Sequence, residues 1–426
     1  MRSIGKCLIA LVSALVWLEI VQALSSASST SPTFDGGTLT TDTWLTPTQS
    51  PYTIVQDIFV PAGIKLTLEP GTVLKMCSGC SIFVQGQLMA AGTPQQPITL
   101  THDQDGEYWG TVGFWRTNSD NNLTHLVIEY ASSALYNGYT LPGVAAMTSS
   151  LTIEHSQIRH MQDNAVNLVD SDTIIRDSAV FDVTGVEVIH VSRGYAEIER
   201  NRIYDGHYLS DGIDFDGDGT TTGVIRDNLI YDHADDCVDL GWGSSPIIEA
   251  NILYNCGDKG LSVGEWSNPA VLNNLIYNAV IGLASKDGSH PTLINNTIVS
   301  NTVGISLYRT FAAQPGDATV YNSIIWGSDT AIDLQDGAQI TITYSNVETT
   351  TAWTGKGNIN ADPRFWAPGA FDFRLRATSP CTDTANPAIA PDTDIRGIPR
   401  PHGDGVDMGA FEFFERVWMH LPLIVD

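Results

Sequence analysis

The sequence predicts an all-β solenoid of stacked parallel rungs, on three observations. A short motif recurs through the middle of the chain as RNRIYDG, DNLIYDH, ANILYNC, NNLIYNA, NNTIVSN and YNSIIWG. Its asparagines, Asn201, Asn228, Asn251, Asn274, Asn296 and Asn322, return at nearly even intervals of 22 to 27 residues. A second motif interleaves with the first, as TGVEV, DGIDF, DCVDL, KGLSV, IGLAS, VGISL and TAIDL, and puts a small residue at Gly185, Gly212, Cys237, Gly260, Gly282, Gly304 and Ala331. Each repeat therefore holds two or three short strands of alternating apolar residues, divided by Asn, Gly and Asp turns. It shows no helical period and has no room for a crossover helix. Strands that recur about every 22–25 residues and stack in register make a parallel β-helix.

Each element follows from this plan. Arg2 and Lys6, an apolar run from Leu8 to Leu18 and a small-residue site at Val21-Gln22-Ala23 predict a signal peptide over residues 1–24. The chain is then exported, and it is extracellular or attached to the cell surface. No later stretch reaches the roughly 18 apolar residues of a membrane span. Residues 25–49 read as an N-terminal linker, 50–360 as the β-helix, and 361–414, rich in Pro and Gly, as an irregular C-terminal cap over the open strand edge. Residues 415–426 form an apolar tail. Within the rungs, stacked asparagines bond to one another, and Ile230, Leu253, Ile276, Ile298 and Ile324 fill the interior. Tyr204, Tyr231, Tyr254 and Tyr277 form a parallel structural column.

Composition narrows the function. With 48 acidic against 21 basic residues and a formal charge of −27, the chain does not suit nucleic acid, which needs clustered Lys and Arg. It suits a cation-binding extracellular monomer. Five cysteines follow the signal peptide, an odd number that leaves at least one unpaired. Cys77 and Cys80 have the spacing of a small disulfide loop or a metal pair.

Aligning rungs on the second motif stacks equivalent positions about 4.8 Å apart. One column reads Thr184, Asp211, Asp236, Lys259, Ile281; the column three residues on reads Glu187, Asp214, Asp239, Ser262, Ala284; the column before both reads Val183, Ser210, Asp235, Asp258, Val280. Asp211, Asp214, Asp235, Asp236 and Asp239 thus crowd two rungs, and they cannot all stay ionised without a counter-charge. Ca2+ is the natural one, since it takes six to eight oxygens in irregular geometry. Asp214-Phe-Asp216-Gly-Asp218-Gly219 also matches the first half of a calcium loop, although Ile225 stands where the final Glu belongs. Trp242, Glu265 and Trp266 follow the key strands and could flank a sugar.

The segments PGTVLK…GTPQQPIT and DMGAFEF resemble those that frame the secreted bacterial right-handed parallel β-helix proteins. That resemblance implies a right-handed coil over nearly the whole exported chain. The central rungs resemble calcium-dependent pectate lyases, in which one Asp, followed a rung later by Asp-Asp-x-x-Asp, holds the ion and a Lys is the base. Asp211, Asp235, Asp236 and Asp239 reproduce that pattern. The resemblance implies β-elimination on an acidic polysaccharide or cell-surface glycan, with Lys259, or Lys286 one rung on, as base and Arg309 or Arg193 steadying the developing charge. DGID and DDC also resemble polygalacturonase motifs, but Lys259 replaces the histidine of that family and no Arg-Ile-Lys follows. The same rungs also fit a non-catalytic adhesin or glycan-binding helix that calcium merely rigidifies.

Overall fold

The computed structural model describes residues 32–414, so the expected signal peptide and the C-terminal tail lie outside the described residues. The chain winds into a parallel β-solenoid of three sheets with 14, 13 and 13 strands, each strand pairing with its counterpart one rung away. Among the described residues no helix is long and apolar enough to cross a membrane. Short alternating strands explain this architecture. Ile230, Leu253, Ile276 and Ile298 pair in register and are fully buried, so each rung covers the core of its neighbour.

The asparagine ladder runs through the interior. Asn251 Nδ2 donates to Asn274 Oδ1 (3.0 Å) and to Ile225 O (2.8 Å), and Asn251 Oδ1 accepts the backbone N–H of Asn228 (3.0 Å). The ladder's upper end corrects the expected register by one residue. Ile298 pairs with Ile325, and Ser323 rather than Asn322 takes the next position, its Oγ accepting the N–H of Asn296. Asn322 instead binds Asn295 and Asn386, and Ile324 faces outward against the C-terminal segment. The Asn-Ser pair offered two residues able to accept that hydrogen bond, and strand pairing selected the second.

One domain boundary and the role of one segment also differ from expectation. Strands Thr33–Phe34, Gly37–Thr38 and Thr43–Leu45 open the three sheets, so most of the expected linker belongs to the first rung. The C-terminal segment divides its work. Asn358 continues the interior ladder by accepting the N–H of Ser345, and Trp353 packs against the last core residues. Residues 361–414 do not cover the end. They lie along the flank of the first sheet, where Asn273, Asn295 and Asn322 donate to backbone oxygens of Thr393, Asp407 and Asn386. The reason is apolar surface: Leu275, Tyr277, Val299 and Ile324 point outward there and are buried by Phe365, Phe373, Val406 and Phe411.

Cys77–Cys80 and Cys237–Cys256 are disulfides, and Cys381 is a buried free thiol, as the odd count requires.

Candidate functional site

The site lies on the outer face of the second sheet, where strands Asp211–Asp216, Val238–Leu240, Lys259–Val263 and Ile281–Lys286 stack. Alternation along Asp211–Asp216 buries Ile213 and Phe215 in the core and turns Asp214 and Asp216 outward.

The expected columns hold above Asp211 and fail below it. Glu187 pairs with Asp211 and His190 with Asp214, three residues from the expected Thr184 and Glu187. Two alternating apolar pairs run head to tail here, Val186/Val188 and Ile189/Val191. The fold buries Ile189 and Val191 and leaves Val186 exposed at the corner. A register set on Ile189 would have moved Glu187 from the Asp214 column to the Asp211 column and brought in His190, the residue that the sequence reading missed.

The acids form two groups. One oxygen each of Asp211, Asp235 and Asp236 lies within 4.8 Å of the others, and the same holds for the ligand atoms of His190, Asp214 and Asp216. Asp239 stacks directly on Asp214, and its Oδ1 is buried without a hydrogen-bond partner, as is Ser262 Oγ one rung higher. Asp218 joins neither group. It sits in the exposed turn, bound by Thr220 Oγ1 at 2.6 Å. The expected calcium loop therefore does not form, because Asp214 and Asp216 remain in an extended strand and cannot wrap around a shared point with Asp218.

Crowding shows in the proton affinities. Burial first, then the charges of Asp236 and Asp239, push Asp211 up to about 9. Burial pushes Asp236 up to about 7 against the pull of Lys259. Burial and the Asp239 charge hold Asp214 well above the carboxylate range, and burial lowers His190, which keeps that ring neutral near pH 7. These oxygens, one of them orphaned, are the donor set that a hard cation such as calcium takes. The residues present fit calcium.

The two lysines differ. Lys259 is buried beside Asp236: its backbone N–H donates to Asp236 Oδ1 at 2.8 Å, its Nζ lies 3.3 Å from the same oxygen, and it also bonds Asp258. Burial would lower its pKa, but Asp236 and Asp258 raise it. Lys286 has no carboxylate within ion-pair distance among the described residues. Burial opposes its charge, while Asp239 and Tyr308 raise its pKa.

Between Asp216 and Lys286 the same column holds Gly241 and Gly264. A Cβ on Gly264 would meet Lys286 Cε at 2.8 Å, and one on Gly241 would meet Glu265 Oε2 at 2.7 Å. The two glycines therefore floor a trough into which Lys286 and Glu265 reach. Beside it, Trp242 and Trp266 are about half exposed (55% and 54%) and line an open cleft of about 400 Å³ with Asp218 and Glu265. Both tryptophans hold left-handed backbone (φ 52° and 64°), a conformation a bulky side chain adopts only under constraint.

Arg309 is not brought in. Its guanidinium pairs with Asp336 on the following rung at 3.4 Å. Arg193 is likewise held by Asp170, at 2.9 and 3.1 Å.

Fold and site together define a parallel β-helix protein with a carboxylate-rich, tryptophan-flanked outer face. Residues 142–315 match the family model described as the right handed beta helix region. The crystal structure of pectate lyase Pel9A is similar over 83% of this chain and 88% of that one, at 13% identity and TM-score 0.50. The periplasmic alginate epimerase AlgG is similar over 71% and 82%, at 13% identity and TM-score 0.51. The A-module of the Azotobacter vinelandii mannuronan C-5 epimerase AlgE4 is similar over 72% and 91%, at 16% identity and TM-score 0.51. At such identities the likeness establishes the fold. By sequence, 75 residues are 35% identical to Protein bark beetle of Drosophila melanogaster, a stretch that spans 18% of this chain and 2% of that protein.

Proposed function

We propose that this is a secreted β-helix enzyme that cleaves an acidic, uronate-containing polysaccharide by calcium-assisted β-elimination. The observation that carries the reading is the buried, unpartnered Asp239 oxygen beside a glycine-floored trough that holds Lys286, whose proton affinity the Asp239 charge raises. The pectate lyase and alginate epimerases of like fold bear names that place them on uronate polymers, which agrees with this substrate class.

Asp211, Asp235, Asp236 and Asp239 would hold the calcium. Bound there, it would neutralise the uronate carboxylate and acidify the C5 proton. The chain's own residues do the rest. Lys259 anchors Asp236 through two contacts and is already spent in ion pairs, so of the two lysines the sequence offered as base, Lys286 is the one left free to act. Lys286 Nζ takes the C5 proton, the C5 electron pair forms the C4–C5 double bond, and the C4–O bond breaks, its oxygen taking a proton from solvent water, to which Lys286 returns its own. Asp239 raises the Lys286 pKa, so offsetting that carboxylate's charge brings Lys286 towards the neutral form a base needs. Trp242 and Trp266 present flat apolar faces to neighbouring sugar rings.

A second reading, a glycan-binding helix without catalysis, draws on Arg309 and Arg193, each of which is already held in an ion pair, with Asp336 and with Asp170. Incubation with uronate polysaccharides, with calcium or with chelator, separates the two. Ultraviolet absorbance of an unsaturated product that needs calcium and Lys286 supports the lyase. Calcium-dependent glycan binding without product supports the second reading.

A further inference from the structure

A different cluster of ligand-type side chains sits where each rung turns from the first sheet into the second. On successive rungs the corner residue is His160, Asp182 and Asp205, all with left-handed backbone (φ 55°, 55° and 60°). A shared backbone conformation points their side chains the same way, one above another at about 4.8 Å. Two residues beyond Asp205, His207 folds back over the corner. Its Nε2 lies 2.8 Å from Asp182 Oδ1 and 3.9 Å from Asp205 Oδ1, and His160 Nδ1 is hydrogen-bonded to the other Asp182 oxygen. One ligand atom from each of Asp182, Asp205 and His207 lies within 4.8 Å of the others.

We propose that this corner binds a zinc-type transition-metal dication, held by Asp182, Asp205 and His207, with His160 orienting Asp182. Metal–nitrogen and metal–oxygen bonds of about 2.0–2.2 Å place tetrahedral ligands roughly 3–3.5 Å apart, and the observed 2.8 and 3.9 Å bracket that separation. Donor chemistry sets the metal. The imidazole nitrogen favours zinc, nickel or cobalt over calcium, whereas the all-oxygen group Asp211, Asp235 and Asp236 favours calcium. His160 supplies the outer hydrogen bond that ligating groups ordinarily receive. The side chains are partly exposed, from 33% at His160 to 52% at Asp205, so water completes the coordination and the ion exchanges freely.

The test titrates zinc calorimetrically into the chelator-dialysed full chain, with calcium present throughout at saturating concentration. One zinc at this corner is expected, insensitive to calcium and lost in the corner variants, whereas any zinc taken by His190, Asp214 and Asp216 survives them. His207→Ala weakens zinc binding about tenfold or more, and Asp205→Asn, which keeps the side-chain shape, weakens it too. Asp236→Asn changes calcium binding and leaves zinc binding as it was. Cobalt in place of zinc gives the visible absorption of a four-coordinate site. No zinc uptake, displacement of zinc by calcium, or undiminished affinity in either corner variant each overturns the proposal.

Discussion

The first and second sheets stack the same rungs at the same spacing, yet their side-chain columns behave in opposite ways. Flanking the first sheet, like stacks on like. Tyr204, Tyr231, Tyr254 and Tyr277 stack with ring centroids 5.0, 4.8 and 5.1 Å apart and their planes nearly parallel, and the asparagine ladder beside them satisfies each amide from the next rung. On the second sheet each column changes identity twice in four rungs: Glu187, then Asp211 and Asp236, then Lys259 in one, and His190, then Asp214 and Asp239, then Ser262 in another. There, charges crowd and two buried polar atoms stay unpaired. In a solenoid, repetition marks what holds the rungs together, and broken repetition marks what they present to a ligand.

The sharpest way to test that contrast is to remove one group from each side. Lys286→Ala should lower lyase activity by about 10²–10⁴-fold, the usual worth of a positioned base, with little change in melting temperature. Lys259→Ala should instead destabilise the chain, since it leaves Asp236 buried without its cation. Turnover measured beside thermal melts of both variants separates the roles; equal loss of activity at unchanged stability would assign the base to Lys259.

On the repetitive side, Asn251→Ala should cost about 3 kcal/mol of stability, because it leaves the Asn228 and Ile225 backbone groups buried and unpaired. Activity per folded molecule should hold, which chemical denaturation and initial rates would check together.

A smaller effect is expected from pH. Asp211 and Asp236, raised to about 9 and about 7, keep protons in the folded chain that the unfolded chain releases near pH 4. The folded state then binds more protons across that window, so the stability of the calcium-free chain falls as pH rises from about 4 towards 7–9. Calcium takes over the neutralising role of those protons. Its stabilising increment should therefore grow with pH, as melting curves at pH 5 and pH 8 with and without chelator would show.

The smallest effect is Trp242→Ala. Loss of one stacking face should raise KM by about three- to tenfold with kcat nearly unchanged. A steady-state comparison on a uronate polymer decides it; a fall in kcat alone would place Trp242 in the chemistry.

The sequence by itself determined the solenoid, its rung length, the interior from Ile230 to Ile298, the tyrosine stack and the concentration of acids on two rungs. These are properties of period and composition, and a repeat of 22–27 residues exposes them directly. Only the tertiary structure decided register where two neighbours could serve equally: Ser323 over Asn322, Ile325 over Ile324, and His190 over Glu187 opposite Asp214. It also decided which lysine is already paired, where Arg309 points, and that residues 361–414 sheath a flank. The physical reason is that a side-chain period of two or a rung of about 23 residues fixes what kind of residue faces inward. Hydrogen-bond pairing between rungs then fixes which one, and a shift of a residue or two at a corner leaves the pattern intact while it replaces the site.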